Sequence, residues 1–238
     1  MSTQPQPVAS CPPSLVLFDL DDTLCDHYTS LRLRLRLAFE AAFDPESDID
    51  IGHLVEETAT SSVGGTRHFA EVLQSRGVSD PERIDRAVEV YLSDRYRGLE
   101  LFDDALQVVR MVSQTSHVGL ITNGPSRIQR DKIARLAIGD LFELILVSEE
   151  EGIWKPDPLI FHRALDRFEI EADEAIYVGD SAEHDVAGAR AAGITSVWIN
   201  RRGREWPGGV RADHEISSLI ELPALLGVTS AHETGGVT

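Results

Sequence analysis

Five short apolar runs constrain the fold of this chain more than any other feature. They lie at residues 15–18, 118–121, 144–147, 175–178 and 196–199. Hydrophobicity is continuous within each run rather than alternating, which is typical of strands that are buried on both faces of a parallel sheet. The later runs are separated by helical patterns at 126–136, 158–168 and 182–192. This alternation predicts an α/β fold with a doubly wound parallel sheet and right-handed crossovers.

The stretch between the first and second runs is much longer than one connecting helix requires. We therefore predict a small all-helical domain of three or four helices inserted at 26–98. The core domain is then formed by 14–25 and 99–227. We expect the terminal segments 1–13 and 228–238 to be disordered.

Composition limits the class of protein. Forty acidic residues against 22 basic ones give a net charge of −18, which repels nucleic acid polymers and anionic membranes at long range. Two cysteines without a CxxC motif provide neither a disulfide framework nor a structural zinc site. The sequence shows no apolar run long enough to span a membrane and no recognisable secretory signal. We expect a cytoplasmic enzyme that acts without these partners, and composition leaves open whether it is a monomer or a homodimer.

Polar residues with complementary charge follow four of the predicted strands. Asp19 to Thr23 (DLDDT) follow the first run, and Thr122, Asn123 and Gly124 follow the second. Gly179, Asp180 and Ser181 follow the fourth, with Asp185 one helical turn further on. Taken singly, each group is also consistent with a strand that ends in a polar turn. Because the carboxyl ends of parallel strands border one ligand crevice, we expect the four groups to meet there.

The sequence contains only two lysines, Lys132 and Lys155. Lys132 lies in a predicted helix, where a solvated surface charge is the expected role. Lys155 lies in the connection after the third strand and precedes Pro156, which favours an extended or turn conformation for it. It would bring a cation to the predicted crevice, beside the acidic residues.

In this order, the motifs resemble those of the haloacid dehalogenase superfamily of hydrolases. That family has four motifs. The first, DxDx(T/V), matches Asp19 and Asp21, and the second, a Ser or Thr after an apolar strand, matches Thr122. The third, a Lys that often precedes Pro, matches Lys155, and the fourth, GDxxxxD, matches Asp180 and Asp185. The resemblance implies a core strand order of 3-2-1-4-5 and a small helical cap inserted after the first motif. The local sequences resemble most the branch of nucleoside 5′-monophosphate and N-acylneuraminate-9-phosphate phosphatases.

The resemblance also implies a catalytic mechanism and a cofactor. Asp19 would be the nucleophile that forms an aspartyl-phosphate, and Asp21 would be the general acid and base. The cofactor would be Mg²⁺, a hard cation that prefers oxygen ligands and lets an anionic phosphate approach an anionic nucleophile. Its ligands would be Asp19, the backbone carbonyl of Asp21, and Asp180. Asp185 would orient Lys155 or a metal-bound water.

The expected substrate is a small phosphorylated metabolite. By the resemblance, Thr122 and Lys155 would bind the phosphoryl oxygens as charge develops on them, and Asn123 would also contact the substrate. In the predicted cap, the segment 64–68 reads GGTRH and could be a loop that turns Arg67 toward the substrate. A flexible link between two helices explains that segment equally well.

Three other functions are compatible with the same fold. A 2-haloacid dehalogenase would use Asp19 on carbon without a metal, but dehalogenases of this family lack the second aspartate that is present here as Asp21. A phosphomutase is the second alternative, although those relatives often have Asp-Gly-Val where this chain has Asp22 and Thr23. A catalytically silent binding module would have lost a catalytic group, and each catalytic position is filled.

Several further features have weaker implications. Leucine and arginine alternate over residues 31–37, which is a strand signal, but we favour a helix there. The arginines of this segment are expected to face solvent or a partner rather than the crevice. Arg201, Arg202 and Arg204 follow the fifth strand, where a surface loop is favoured over a basic rim of the site. Cys25 is expected to be a small buried filler.

Overall fold

The computed structural model describes residues 12–44, 46–61 and 66–228. Contacts divide the chain into two compact units. The inserted unit is Asp26–Glu100, and the sheet unit comprises the residues up to Cys25 and those from Leu101 onward. The predicted insertion was 26–98. Nearly all of the predicted disordered tails lies outside the described residues.

The described part of the inserted unit is helical and has its own core. Its helices are α1 (His27–Ala42), α2 (Ile51–Ala59), α3 (Thr66–Ser75) and α4 (Pro81–Ser93). Side chains of Asp26, Asp50 and Asp80 accept hydrogen bonds from the first turns of α1, α2 and α4, which satisfies backbone donors that a helix leaves free. Aromatic rings form the centre of the core, with Phe69 stacked on Tyr91 at 5.2 Å.

The alternating segment 31–37 is helical, as predicted, because its leucines divide between two faces of α1. Leu35 is buried in the core of the inserted unit, whereas Leu33 is 39% exposed. The prediction of a solvated surface was wrong for Arg34, whose side chain is buried. Its guanidinium lies 4.4 Å from the centre of the Tyr91 ring and donates hydrogen bonds to the Tyr91 carbonyl at 3.4 Å, so a cation–π contact and a polar partner compensate its burial.

A six-stranded parallel sheet forms the centre of the sheet unit. Its strands are β1 (Leu15–Phe18), β2 (His117–Thr122), β3 (Leu144–Val147), β4 (Ala175–Gly179), β5 (Thr195–Ile199) and β6 (His214–Ile216). They are arranged in the order β3-β2-β1-β4-β5-β6, and every neighbouring pair is parallel. The predicted fold class and the order of the first five strands are therefore confirmed. The sixth strand was not predicted, because its sequence HEI is short and mostly polar.

Helices accompany the sheet, and the three predicted segments 126–136, 158–168 and 182–192 all contain helix. The helices are α5 (Ala105–Val112), α6 (Ser126–Arg135), α7 (Ser148–Glu151), α8 (Pro158–Phe168), α9 (Ala187–Ala191) and α10 (Leu222–Leu225). Short 3₁₀ turns lie at Gly139–Leu141, Ala172–Glu174 and Leu219–Glu221. The helix predicted over 182–192 is divided into a π-helical turn, Ala182–Val186, and α9. Gly193 follows with a φ of +79°, the conformation in which a glycine ends a helix.

The sheet is buried by apolar residues of its strands and of the adjacent helices. All four residues of β1 are fully buried. Leu15, Leu17 and Tyr177 belong to a cluster that includes Ile160 and Phe161 of α8. The cluster packs α8 against the sheet whose strands carry the polar residues at their carboxyl ends. Within the described residues, no helix is both long enough and apolar enough to cross a membrane.

Candidate active site

Lys155 lies at the centre of a polar cluster at the carboxyl end of the sheet. Its side chain is only 2% exposed. The Nζ atom donates hydrogen bonds to Asp19 Oδ1 at 2.6 Å, to Asp185 Oδ1 at 2.7 Å and to the Tyr177 hydroxyl at 2.8 Å. The two carboxylates raise the pKa of Lys155 and outweigh the opposite effect of burial. Lys155 is therefore a fixed positive charge against Asp19, as the sequence predicted.

Asn123 holds the backbone of Lys155 in place. Its Nδ2 atom donates to the Lys155 carbonyl, and its Oδ1 atom accepts from the Lys155 amide, each at 2.9 Å. The sequence suggested Asn123 as a substrate ligand. In the structure, both ends of its side chain are used to position Lys155.

Asp185 is placed by the π-helical turn after β4. Its Oδ2 atom accepts from the Ser181 amide at 2.9 Å, and its backbone amide donates to the Ser181 carbonyl at 3.0 Å. The carboxylate packs against Gly179, where a Cβ atom would lie 2.4 Å from Asp185 Cγ. The predicted contact between Asp185 and Lys155 is present, and only a glycine at 179 leaves room for it.

Three carboxylates of the cluster are close enough to share one cation. Carboxylate oxygens of Asp19, Asp180 and Asp185 lie within 4.8 Å of one another. Burial raises the pKa of Asp19 despite the opposing effect of Lys155, and repulsion from Asp185 and Asp180 adds to the rise. Burial, together with repulsion from Asp185 and Asp22, raises the pKa of Asp180 to about 7. Lys155 alone therefore does not balance the negative charge of the three carboxylates, whose hard oxygen donors fit a divalent cation such as Mg²⁺.

Asp180 is held by the segment that follows β5. Trp198 Nε1 donates to the Asp180 carbonyl at 2.7 Å, and Arg204 donates to the same carbonyl at 2.9 Å and to Asp180 Oδ2 at 3.0 Å. Arg202 lies about as far from Asp22 as from Asp180, at 3.9 and 4.0 Å. The expectation of a plain surface loop is therefore wrong for this segment, because its arginines pair with carboxylates of the sheet unit.

The turn that follows β1 holds Asp21 beside the cluster. Asp22 adopts a φ of +60°, which is uncommon outside glycine, and its amide donates to the Cys25 carbonyl at 2.8 Å. Thr23 Oγ1 donates to Asp19 Oδ2 at 3.4 Å. Cys25 is buried, as predicted, and burial raises the pKa of its thiol. It is thus an inert neighbour of the site.

Comparison with known proteins identifies the family. Residues 13–193 match the model of the haloacid dehalogenase-like hydrolases. The chain belongs to this family. The match confirms the resemblance that the motifs indicated.

Relatives extend over most of the chain. It is 29% identical over 218 residues to pyrimidine 5′-nucleotidase YjjG of Escherichia coli strain K12, covering 89% of this chain and 96% of that protein. It is 32% identical over 191 residues to glyceraldehyde 3-phosphate phosphatase of Pyrococcus abyssi, covering 78% of this chain and 80% of that protein. The crystal structure of the HAD-hydrolase YfnB from Bacillus subtilis bound to magnesium superposes with a TM-score of 0.75 and 26% identity, covering 91% and 100% of the two chains.

Sequence reasoning missed two residues that contact the acid–base candidate of this haloacid dehalogenase-like hydrolase. Lys132 was expected to be solvated, but it is 5% exposed, and its Nζ atom lies 2.8 and 2.6 Å from the two carboxylate oxygens of Asp21. Gln129 is buried and donates to Asp21 Oδ2 at 3.1 Å and to the Thr122 hydroxyl. Their spacing of three residues on a predicted helix was a signal that they share a face.

Two further residues differ from expectation. Tyr177 was not singled out, although its hydroxyl accepts from Lys155 and lies 3.1 Å from the Ile121 carbonyl. Arg67 does not lie in a loop but in the first turn of α3, where its side chain is 94% exposed and pairs with Glu71 at 3.1 Å. Residues 64 and 65 of the predicted loop lie outside the described residues. A contact between Arg67 and substrate stays a prediction.

Proposed function

We propose that this haloacid dehalogenase-like hydrolase is a Mg²⁺-dependent phosphatase of small phosphomonoesters that acts through an aspartyl-phosphate on Asp19. The observation that carries the proposal is the pairing of Asp19 with Lys155 at 2.6 Å inside a cluster of three carboxylates. A nucleophilic carboxylate needs adjacent positive charge before it can approach a phosphate dianion, and the cluster supplies ligands for that charge.

The residues of the site divide the chemistry between them. An oxygen of Asp19 forms a bond to phosphorus as the bond from phosphorus to the ester oxygen breaks, and the carboxyl group of Asp21 gives its proton to the leaving alcohol. Lys155 and Thr122 bind phosphoryl oxygens and stabilise the charge that develops on them. Asp21 then takes a proton from the water that attacks phosphorus, which releases phosphate and restores Asp19.

A magnesium ion would be held by Asp19, by Asp180 and by the backbone carbonyl of Asp21. When bound, it would neutralise the carboxylates and reduce their repulsion of the phosphate. Asp185 is engaged by Lys155, Tyr177 and the Ser181 amide, so its role is to position Lys155. Arg204 donates to Oδ2 of Asp180, which leaves the other oxygen of that carboxylate for the magnesium ion.

For the substrate class we propose nucleoside 5′-monophosphates or sugar phosphates. The relative from E. coli is named as a pyrimidine 5′-nucleotidase, and the relative from P. abyssi as a phosphatase of glyceraldehyde 3-phosphate. Both names describe phosphate esters of a primary alcohol. A panel of nucleotide and sugar phosphates with MgCl₂ tests the substrate class. The class is rejected if the protein hydrolyses neither the nucleotides nor the sugar phosphates.

The mechanism is tested with p-nitrophenyl phosphate as substrate. Asp19→Asn removes the nucleophile and should lower kcat by at least about 10³-fold, because covalent catalysis and the charge beside phosphorus are lost together. EDTA should abolish wild-type activity, and MgCl₂ should restore it. Acid-quenched wild-type protein should carry label from a ³²P-phosphate ester on Asp19.

Asp173→Asn is the matched control, because it removes an exposed carboxylate at the opposite end of β4. It should retain wild-type activity. Full activity of Asp19→Asn, or of wild type in EDTA after extensive dialysis, would reject the proposed mechanism.

A further inference from the structure

We propose that Lys132 and Gln129 are positioning residues that fix the carboxyl group of Asp21 for proton transfer to the leaving alcohol. The inference rests on the proposed function, in which Asp21 is the acid and base. It assigns a role to two residues of α6 that no catalytic motif includes.

The side chain of Lys132 is buried and pairs with the carboxylate of Asp21. Its side chain is only 6% exposed, and because lysine is almost never buried without a partner, a specific partner is expected. Its ammonium group contacts both oxygens of Asp21, at 2.8 and 2.6 Å. Two contacts to one carboxylate restrict the rotation of the carboxylate as well as its position. A lysine that served only the solubility of the helix would extend into solvent instead.

Gln129 links the acid–base residue to a phosphoryl-binding residue. One nitrogen, Nε2, donates both to Asp21 Oδ2 at 3.1 Å and to the Thr122 hydroxyl. The Gln129 side chain packs beside Gly124, where a Cβ atom would lie 3.1 Å from its Cδ and Cγ atoms. The amide is therefore confined from one side by the backbone after β2. It holds Asp21 and Thr122 in a fixed relation.

Asp21 forms a backbone bridge with Cys25, whose thiol donates to Asp21 Oδ1 at 3.7 Å, and Lys132 and Gln129 add the closer contacts to its carboxylate. It opens the turn in which Asp22 has a positive φ, and its side chain is 24% exposed. Proton transfer requires the carboxyl group to lie within hydrogen-bond distance of the leaving oxygen. Lys132 and Gln129 of α6 hold this carboxyl group while the side chain of Asp21 stays partly exposed.

The test compares two substrates that differ in their need for a proton. The p-nitrophenolate ion leaves without protonation, whereas the alkoxide of glycerol 2-phosphate requires it. The measured quantity is kcat/KM, which reports the phosphoryl transfer to Asp19 and not the later hydrolysis. Lys132→Met should lower kcat/KM for glycerol 2-phosphate by about 10²-fold, in the range of general acid catalysis. The loss for p-nitrophenyl phosphate should be less than tenfold, and KM should change little for either substrate.

Three further variants separate positioning from a structural role. Arg130 is on the same helix as Lys132, and Arg130→Met, which removes its ion pair with Glu150 of α7, should leave the hydrolysis of both substrates unaffected. Combined with Asp21→Asn, Lys132→Met should have no additional effect, because it acts through Asp21. Gln129→Met keeps Lys132 and should give a smaller loss with the same preference for glycerol 2-phosphate. It also preserves the test if Lys132→Met does not fold.

Equal losses for the two substrates, or additive losses in the double variant, would overturn the inference while leaving the phosphatase mechanism in place. If wild type hydrolyses neither ester and Asp19→Asn has no effect, the proposed function itself fails. The two failures are therefore distinguishable.

Discussion

At the scale of single residues, Gly179 shows how closely the active-site carboxylates are packed. A Cβ atom there would lie 2.4 Å from both Cγ and Oδ2 of Asp185, which is closer than a Cβ atom approaches any atom to which it is not bonded. Asp185 is buried and receives hydrogen bonds from Lys155 and the Ser181 amide. An added methyl group must therefore displace the carboxylate that positions Lys155.

We predict that Gly179→Ala lowers kcat for p-nitrophenyl phosphate by at least about 10²-fold, because a small misplacement of a group that binds the transferred phosphoryl is costly. Overpacking should also lower the free energy of unfolding by about 1–3 kcal/mol. Steady-state kinetics and urea denaturation measure the two effects. Gly139→Ala is the control, since its Cβ atom would meet nothing closer than Ile133 at 3.6 Å. Wild-type kcat in Gly179→Ala would contradict the positioning role of Asp185.

The two lysines show what a sequence can and cannot reveal about such residues. Lys155 was predicted because it follows a strand and precedes a proline at the end of the sheet where acids also collect. Lys132 lies in a helix, where a solvated lysine is the usual case, and its partner Asp21 is 111 positions away in the chain. The contact arises only when β1 and α6 are placed by the sheet. Residue type and spacing therefore predicted the cluster around Asp19, but not the partners of Asp21.

At the scale of elements, the predicted strands were those with an apolar signal of their own. The five predicted strands, β1 to β5, are largely buried, and their continuous hydrophobicity was sufficient to predict them. The edge strand β6 depends on pairing with β5, from Val197 with His214 to Ile199 with Ile216. The π-helical turn depends on the contact of Asp185 with the Ser181 amide. A tertiary contact therefore decides β6, whereas a hydrogen bond between residues four positions apart decides the turn, and neither element has an apolar signal of its own.

Asp104 joins three elements of the sheet unit. It precedes α5, and its carboxylate accepts from Arg201 after β5 at 2.9 and 3.1 Å. It also accepts from the Ser218 hydroxyl at 2.6 Å and from the Leu219 amide at 2.8 Å. Burial alone would raise the pKa of Asp104, but these hydrogen bonds outweigh burial and lower the pKa below its usual value of 3.8.

We predict that Asp104→Asn lowers the free energy of unfolding at pH 7 by about 1.5–3 kcal/mol, the range for hydrogen bonds to a charged group. Because the folded-state pKa is lowered, this stabilisation is complete above the unfolded pKa and is lost as the pH falls through the folded pKa. The difference between wild type and variant should therefore be constant near neutral pH and shrink below about pH 4. Urea denaturation across pH measures it.

Asp103→Asn is the control for Asp104, since Asp103 is an exposed neighbour. It should leave stability unchanged across the same range. A stability difference for Asp104→Asn that grows on acidification would reject this account of Asp104.

At the scale of the whole molecule, the net charge of −18 and the carboxylate cluster have related consequences. Like charges repel across the folded chain and destabilise the compact state, and dissolved salt screens that repulsion. Any salt should therefore raise the melting temperature to some degree. The cluster adds a second effect, because an ion that binds only the folded protein stabilises it by mass action.

The two effects can be separated by comparing MgCl₂ with NaCl at equal ionic strength. At a Mg²⁺ concentration 100 times Kd, specific binding contributes about 2.7 kcal/mol. For a chain of this size, that corresponds to a rise in Tm of roughly 5–10 °C beyond the rise in NaCl. Asp180→Asn removes one ligand and should lose the excess while keeping the general salt effect, whereas Asp173→Asn should keep both. Equal Tm values in the two salts for wild type, or an undiminished excess in Asp180→Asn, would show that the cluster does not hold the ion.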